Sequence, residues 1–258
     1  MTRIVRVAAA QQGPNLETDS REVIVTRLLD MMKQAKSKGA DLVVYTETAL
    51  TTFFPRFYAE DLAEMDLWFE REMPNDATRP LFDYAADNKI GFSLGFAELT
   101  PDGHHFNTQI LVDKDGKTIG KYRKVHLPGH VELEPERRFQ HLEKRYFEPG
   151  NLGFPVWRTM GGVMGMCICN DRRWPETYRV MGGYNTPSWN GLGGPDTPEL
   201  RHHHSRLSMQ AGAYQNATWV VGVAKAGEEA PGYHLMGGSC IINPDGQVVA
   251  EAQTEDYE

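Results

Sequence analysis

The sequence predicts an α/β fold, and three observations carry that prediction. The first fifty residues run from an apolar stretch through an amphipathic one to a second apolar stretch. That is a β-α-β pattern, which places neighbouring strands in one sheet. Short apolar runs bounded by Gly, Pro, Asn and Asp recur along the rest of the chain. With 258 residues, 40% hydrophobic and 24% charged, there is material for a substantial core, and no repeat, low-complexity tract or linker divides it. The reading is a single domain over 1–258.

Taken in order, Ile4 to Ala10 is a strand, broken by Gly13-Pro14. Asp19 followed by Glu22 has the spacing of a capping box. Ile24, Leu28, Met31, Met32 and Ala35 share one helical face, and Gly39 stops the helix. Leu42 to Tyr45 is the second strand and leads into Thr46-Glu47. The loop Thr51-Thr52-Phe53-Phe54-Pro55-Arg56 is either a pocket wall or a segment tucked onto the core. Leu81 to Ala86 reads as a helix, Ile90 to Phe96 as a strand and Pro101-Asp102-Gly103 as a turn. Gln109–Val112 and Thr118–Tyr122 form a hairpin around Asp115-Gly116, whose far end delivers Lys121 to His130. Residues 131–150 are charged and irregular.

Val163 to Ile168 is a small apolar run that reads as a buried strand ending at Cys169, with Pro175 opening a helix to Met181. Residues 184–198 are loop-like, and Glu199 to Gln215 is a helix carrying His202-His203-His204. Strands follow at Trp219–Val223, Ser239–Asn243 and Val248–Ala250.

Charge and cysteine usage exclude several classes. A net charge of −8 offers no basic face for nucleic acid. No apolar run reaches membrane-spanning length, and the N-terminus has no signal-peptide pattern. Cys167, Cys169 and Cys240 make an odd number without a disulfide framework, which points to a reducing compartment and a cytoplasmic location. A lone C-x-C pair lacks the second half of a zinc site.

The chemistry centres on Met166 to Glu176. A strand that ends in a thiol and turns into a helix exposes a nucleophile at the top of a sheet. The helix N-terminus, with Arg172 and Arg173 close by, favours thiolate over thiol. Two other strand ends carry complementary groups: Glu47, a carboxylate, and Lys124, an ammonium. Amide hydrolysis through a thiol needs such a set. A carboxylate takes the thiol proton and returns it to the leaving amine, the thiolate attacks, and a cation sits where oxygen becomes negative. Each residue taken singly also fits a buried cysteine, a loop acid or a solvated basic patch.

The runs Val44–Arg56, Gly120–His130, Phe139–Pro155, Met164–Gly182, Gly183–Pro187 and Leu207–Asn216 resemble, in the same order, the nitrilase or carbon–nitrogen hydrolase superfamily. Within it they are similar to the N-carbamoyl-D-amino-acid amidohydrolases. The resemblance implies a four-layer α-β-β-α sandwich and hydrolysis of an N-carbamoyl-D-amino acid to the amino acid, carbon dioxide and ammonia. It implies Glu47 as base, Lys124 as oxyanion stabiliser, Cys169 as nucleophile and Glu143 as a second carboxylate. Arg172 and Arg173 correspond to residues gripping a substrate carboxylate. Asn185, Thr186, His126, His141 and His204 correspond to further pocket residues. It also implies a small carboxylate-bearing substrate, no metal or organic cofactor, and a homodimer or homotetramer.

The chain departs from the resemblance in two places. Gly182 runs directly into Gly183-Tyr184-Asn185-Thr186-Pro187 where a core strand is expected, and the chain ends at Glu258. The expected sandwich is therefore short of one core strand and a C-terminal segment. Two alternatives stay open: another carbon–nitrogen hydrolase, such as an amidase or β-ureidopropionase, and a non-catalytic remnant acting as an interaction subunit.

Overall fold

A computed structural model describes residues 4–181 and 197–258 of the chain. Its elements, in order, begin with β1 (Val7–Ala9), α1 (Arg21–Ser37), β2 (Leu42–Val44) and α2 (Arg79–Asn88). Then come β3 (Gly91–Leu99), β4 (His105–Val112), β5 (Thr118–Arg123) and a single helical turn, α3 (Glu143–Tyr146). Next are β6 (Val156–Thr159), β7 (Gly162–Gly165), α4 (Pro175–Met181) and α5 (Pro198–Gln215). The last strands are β8 (Val220–Gly222), β9 (Ala226–Ala230), β10 (Tyr233–Met236), β11 (Cys240–Ile242) and β12 (Val248–Glu251).

The first five strands form one sheet in the order β1-β2-β3-β4-β5. Where a helix intervenes, as α1 and α2 do, the flanking strands pair in parallel; where only a turn intervenes, they pair antiparallel. Successive strand residues point to opposite faces, and β2 uses both. Val43 and Tyr45 pack with Phe92, Leu94 and Ile110 under Ile24, Leu28 and Met32 of α1 and Leu81 and Phe82 of α2. Leu42 and Val44 turn the other way, with Leu111 and Tyr122, onto Met164, Met166, Ile168, Val221 and Val223. Behind these lies an antiparallel sheet, β12-β11-β8. Its outer face meets Tyr178 of α4 and Met209 and Ala213 of α5 through Val220, Cys240 and Ile242. The layers therefore run α-β-β-α, with β6-β7 and β9-β10 as separate two-stranded pairs.

Several boundaries differ from the sequence reading. The first strand is confined to Val7–Ala9, and Ile4 is exposed. The cap of α1 is Ser20, which accepts from the Val23 amide, while Asp19 pairs with Arg27 at 2.6 Å. The run Val163–Ile168 is not one strand: β7 ends at Gly165, and Met166 to Ile168 cross the core as irregular chain. Apolarity alone does not separate a strand from a buried loop. The Phe53–Arg56 loop is buried, with Phe54 packed among Trp68, Phe69, Tyr146 and Phe147. The Gly182–Gly183 junction falls outside the described residues.

Every residue of β3 is buried, and Gly95 sits where the chain beyond β2 crosses it. A Cβ at Gly95 would lie 2.4 Å from the Thr46 carbonyl oxygen and 2.8 Å from the Glu47 Cα. Gly95→Ala is expected to lower stability by about 3 kcal/mol, the range of overpacked cores, read as a fall in the urea midpoint at unchanged m-value.

Candidate active site

The chain beyond β2 turns sharply, because Thr48 has φ +44°. A β-branched residue adopts that conformation only under tertiary constraint. The turn delivers Glu47, which is 2% exposed. Lys124 follows the last residue of β5 and is fixed at its backbone by the Asn107 carbonyl, 2.8 Å away. Glu143 opens α3. These three side chains, from three separated stretches, meet with no side-chain exposure at all. The Lys124 ammonium lies 2.7 Å from Glu47 Oε1 and 2.5 Å from Glu143 Oε2.

Each carboxylate has one further support. Asn107 of β4 donates from Nδ2 to Glu47 Oε1 at 2.6 Å, and His141 Nε2 lies 2.9 Å from Glu143 Oε1. Glu47 Oε2 is buried and has no hydrogen-bond partner among the described residues. The Cys169 sulfur lies within 4.8 Å of a carboxylate oxygen of Glu47 and of Glu143.

Cys169 does not end a strand. It opens a single 3₁₀ turn, Cys169–Arg173, with φ +51°, so both the acid and the thiol sit on or beside strained backbone. Asp171 holds this turn. It accepts from the Ile168 amide (3.0 Å), the Tyr122 hydroxyl (2.7 Å) and the His126 amide (2.9 Å), and it contacts His126 Nδ1 at 2.7 Å. The turn that carries Cys169 is thereby tied to the end of β5, the strand that leads into Lys124.

The electrostatics correct one sequence expectation. Burial, with the Glu47 charge next, pushes the Cys169 thiol up; Lys124 and Arg172 oppose this and do not prevail. The resting sulfur is a thiol. The expected help from a helix N-terminus does not prevail: Cys169 opens the 3₁₀ turn, and α4 begins six residues later, at Pro175. Burial pulls the Lys124 ammonium down, but its proximity to Cys169, whenever that sulfur is ionised, and to the Glu143 and Glu47 carboxylates raises it well above the ordinary lysine range. Burial raises Glu143 too, yet Lys124 and His141 hold its carboxyl down at about 2.

The remaining expected residues are dispersed. Arg172 is buried, donates to the Cys169 carbonyl at 2.7 Å, and its Nε has no partner among the described residues. Arg173 is exposed. His126 stacks between Trp174 and Phe154 above Asp171. His141 contacts Glu143 and meets Phe53 edge-on. His204 is exposed on α5 beside His203. Asn185 and Thr186 lie outside the described residues. Among the described residues, Glu47, Glu143 and Cys169 are also the one group whose donor atoms lie close enough to hold a cation, but the Lys124 ammonium already fills that role. Asn107 and Asp171 were missed by sequence reasoning. A signal for the first existed, since Asn107-Thr108-Gln109 puts polar residues inside a strand that is otherwise buried.

With this geometry in place, the sequence profile of the carbon-nitrogen hydrolases matches residues 6–258. The chain belongs to that family. It is 30% identical to a nitrilase of Pyrococcus abyssi, over 99% of this chain and 87% of the relative. It is 27% identical to the N-carbamoylputrescine amidase of Arabidopsis thaliana, over 86% and 74% of the two chains. Among solved structures, the carbon-nitrogen hydrolase of Helicobacter pylori G27 superposes with a TM-score of 0.82 at 22% identity, covering 98% of this chain and 87% of that one. An amidase from Nesterenkonia sp. has the same fold, with a TM-score of 0.72 at 22% identity over 98% and 88%. As a carbon–nitrogen hydrolase, the chain is a hydrolase of non-peptide C–N bonds. No helix among the described residues is long and apolar enough to cross a membrane.

The depressed Glu143 carboxyl sets a direction for acid stability. Its folded value of about 2 lies below the roughly 4.3 of an unfolded glutamate, so its stabilising share is complete above that pH and is lost as pH falls towards 2. Glu143→Gln is expected to destabilise the protein at pH 7, and the gap from wild type should narrow between about pH 5 and pH 2. Urea titrations of both proteins across that range measure it.

Proposed function

We propose that Glu47, Lys124 and Cys169 hydrolyse the C–N bond of an N-carbamoyl amino acid, of the D-form by the sequence resemblance. The observation that carries this reading is the division of labour at Glu47. Oε1 is held by Lys124 and Asn107, while Oε2 is buried without a partner among the described residues, beside a neutral thiol. A carboxylate with one oxygen fixed and the other open is suited to take a proton.

In the proposed cycle, Glu47 accepts the Cys169 proton as the sulfur attacks the carbamoyl carbon. The developing oxyanion is met by the Lys124 ammonium, which Glu143 and Glu47 keep charged. Collapse breaks the C–N bond, and Glu47 returns its proton to the departing nitrogen. A thioester remains on Cys169. Glu47 then takes a proton from water as the water oxygen attacks this thioester-type intermediate, and passes that proton to the sulfur as the C–S bond breaks, which restores the thiol and the carboxylate. The released carbamic acid breaks down to carbon dioxide and the amine it still carries, ammonia or the amino acid according to which nitrogen left first.

Arg172 supports a carboxylate-bearing substrate. Among the described residues the Nε of this buried guanidinium has no acceptor, and a carboxylate fits the guanidinium fork. Arg173, exposed in the same turn, is the second cation of this reading. His126, His141 and His204, with Asn185 and Thr186, remain proposed pocket residues. His141 acts in part through Glu143. A homo-oligomer and a cytoplasmic location complete the reading. The alternatives, a neutral-amide hydrolase and an inactive interaction subunit, are separated by the experiments below.

Ammonia release from N-carbamoyl-D-phenylglycine, its L-isomer and a neutral amide such as propionamide tests the assignment. The D-isomer is expected to be the best substrate. Turnover of the amide alone establishes the amidase alternative, and no turnover by folded protein establishes the remnant. Cys169→Ala and Glu47→Gln are expected to lower kcat roughly a thousandfold or more.

Arg172→Met is expected to raise KM for N-carbamoyl amino acids by about 10- to 100-fold, the worth of a charge-assisted bidentate contact. KM for neutral amides should hardly move. An equal rise for both classes would remove Arg172 from carboxylate recognition.

A further inference from the structure

A second buried ion cluster lies behind the loop that carries Glu47, and the mechanism above does not use it. Glu229 of β9 has a fully buried side chain. Its Oε2 accepts from Arg56 Nη1 (2.8 Å), the Phe53 amide (2.8 Å) and the Thr52 hydroxyl (3.1 Å). Its Oε1 accepts from Lys225 Nζ (3.0 Å) and the Asn15 amide (3.3 Å). Lys225 also donates to the Thr51 carbonyl at 2.5 Å. The Arg56 guanidinium is clamped between the rings of Phe57 and Tyr233, 4.7 and 4.6 Å from their centroids. Gln12 and Asn15 donate to the Ala49 carbonyl, each at 3.0 Å.

Two features of this cluster bear on Glu47. Its contacts fall on Ala49, Thr51, Thr52, Phe53 and Arg56, the segment that begins two residues after the proposed base. Its charges do not cancel: Arg56 and Lys225 are two cations against one carboxylate. The catalytic cluster sets Glu47 and Glu143 against Lys124 and the buried Arg172 guanidinium, which also acts on Cys169. The excess cation of the second cluster, one short loop away, therefore acts on carboxylates that have no cation to spare, through a medium of low dielectric.

We propose that Arg56, Glu229 and Lys225 are positioning residues for Glu47, fixing its loop and supplying the positive counterweight that holds it as a carboxylate. This rests on the reading of Glu47 as the proton acceptor. Among the groups facing Lys225 are Glu229, Arg56 and Glu47. Burial is the largest influence and leaves the Lys225 ammonium below the usual lysine range; Glu229 and Glu47 oppose burial, and Arg56 adds to it. Tyr233, stacked on Arg56, is influenced by both clusters, since Glu229, Arg56, Glu143 and Glu47 all act on its phenol. Glu47 is thus within electrostatic reach of the second cluster.

The test is the pH profile of Cys169 alkylation by iodoacetamide, followed by peptide mass spectrometry, together with kcat and KM for N-carbamoyl-D-phenylglycine hydrolysis. In Lys225→Met the acidic limb is expected to rise by roughly half to one pH unit, with kcat falling more than KM changes. Lys225→Arg should restore the limb. In Glu229→Gln, which leaves two unopposed cations, the limb should move down. A limb that stays in place in both Lys225→Met and Glu229→Gln, with only the melting temperature lowered, overturns the proposal, as does failure of both variants to fold, which makes the cluster purely structural. Glu47→Gln is the control: if it leaves the alkylation limb unchanged, the base assignment fails, whatever the Lys225 variants do.

Discussion

The Lys124 ammonium, held between two buried carboxylates, is the constraint on which the rest of the structure depends. Removing these charges from water costs several kcal/mol per ion, and breaking one partner away is worse than never having paired them. Only near-ideal contacts offset that cost, and here they are 2.5 and 2.7 Å. The segment beyond β2, the end of β5 and the turn of α3 must therefore meet at one point. Gly95 follows from the same demand, because a side chain there would push Thr46 and Glu47 off the sheet. So do Asn107, which shares Glu47 Oε1 with Lys124, and His141, which contacts the Glu143 oxygen that Lys124 leaves open.

The same cluster explains why the sulfur is protonated at rest. Lys124 and Arg172 are already matched by Glu47 and Glu143, and a buried thiolate there would add an uncompensated charge. The sequence reading placed a helix terminus and two guanidiniums beside Cys169 and inferred a thiolate. That inference weighed the attractive groups and had no means of weighing burial or Glu47, which lies 122 residues away in the chain. Moving the proton from sulfur to Glu47 keeps the charge of the cluster constant. In the proposed cycle the charge that develops then appears on the substrate oxygen, next to an ammonium already in place.

The sequence made the β-α-β opening, the hairpin of β4 and β5 and the three groups at Glu47, Lys124 and Cys169 legible, because each is announced locally by periodicity or by a polar residue ending an apolar run. Glu143 was reachable only through resemblance, since His141-Leu142-Glu143-Lys144 carries no local sign of chemistry. The hairpin of β9 and β10 was not read at all. Ala226-Gly227-Glu228-Glu229-Ala230 has neither apolar alternation nor branched residues, and its buried Glu229 is made tolerable by Arg56 and Lys225, a compensation invisible without the fold. Asp171 was hidden for a related reason: beside two arginines it reads as part of a charged turn, yet its bonds run to Tyr122 and His126, far back in the chain.

Backbone strain completes the case that these parts act together. Five non-glycine residues among those described have positive φ, and Thr48 and Cys169 are two of them. Each such residue costs on the order of 1–3 kcal/mol and persists only where its surroundings over-determine it. Around Cys169 the determinant is Asp171, with three backbone or hydroxyl donors on one carboxylate. Around Thr48 it is the tight packing of Thr46 and Glu47 on Gly95 and the bonds that Gln12, Asn15, Lys225 and Glu229 make to the loop that follows. The two strained residues come from different layers of the sandwich, one after β2 and one after β7. Each is held by a buried carboxylate that the cycle does not consume. The fold thus spends its polar bonds on the backbone flanking the acid and the sulfur, and among the described residues none of them falls on the second oxygen of Glu47.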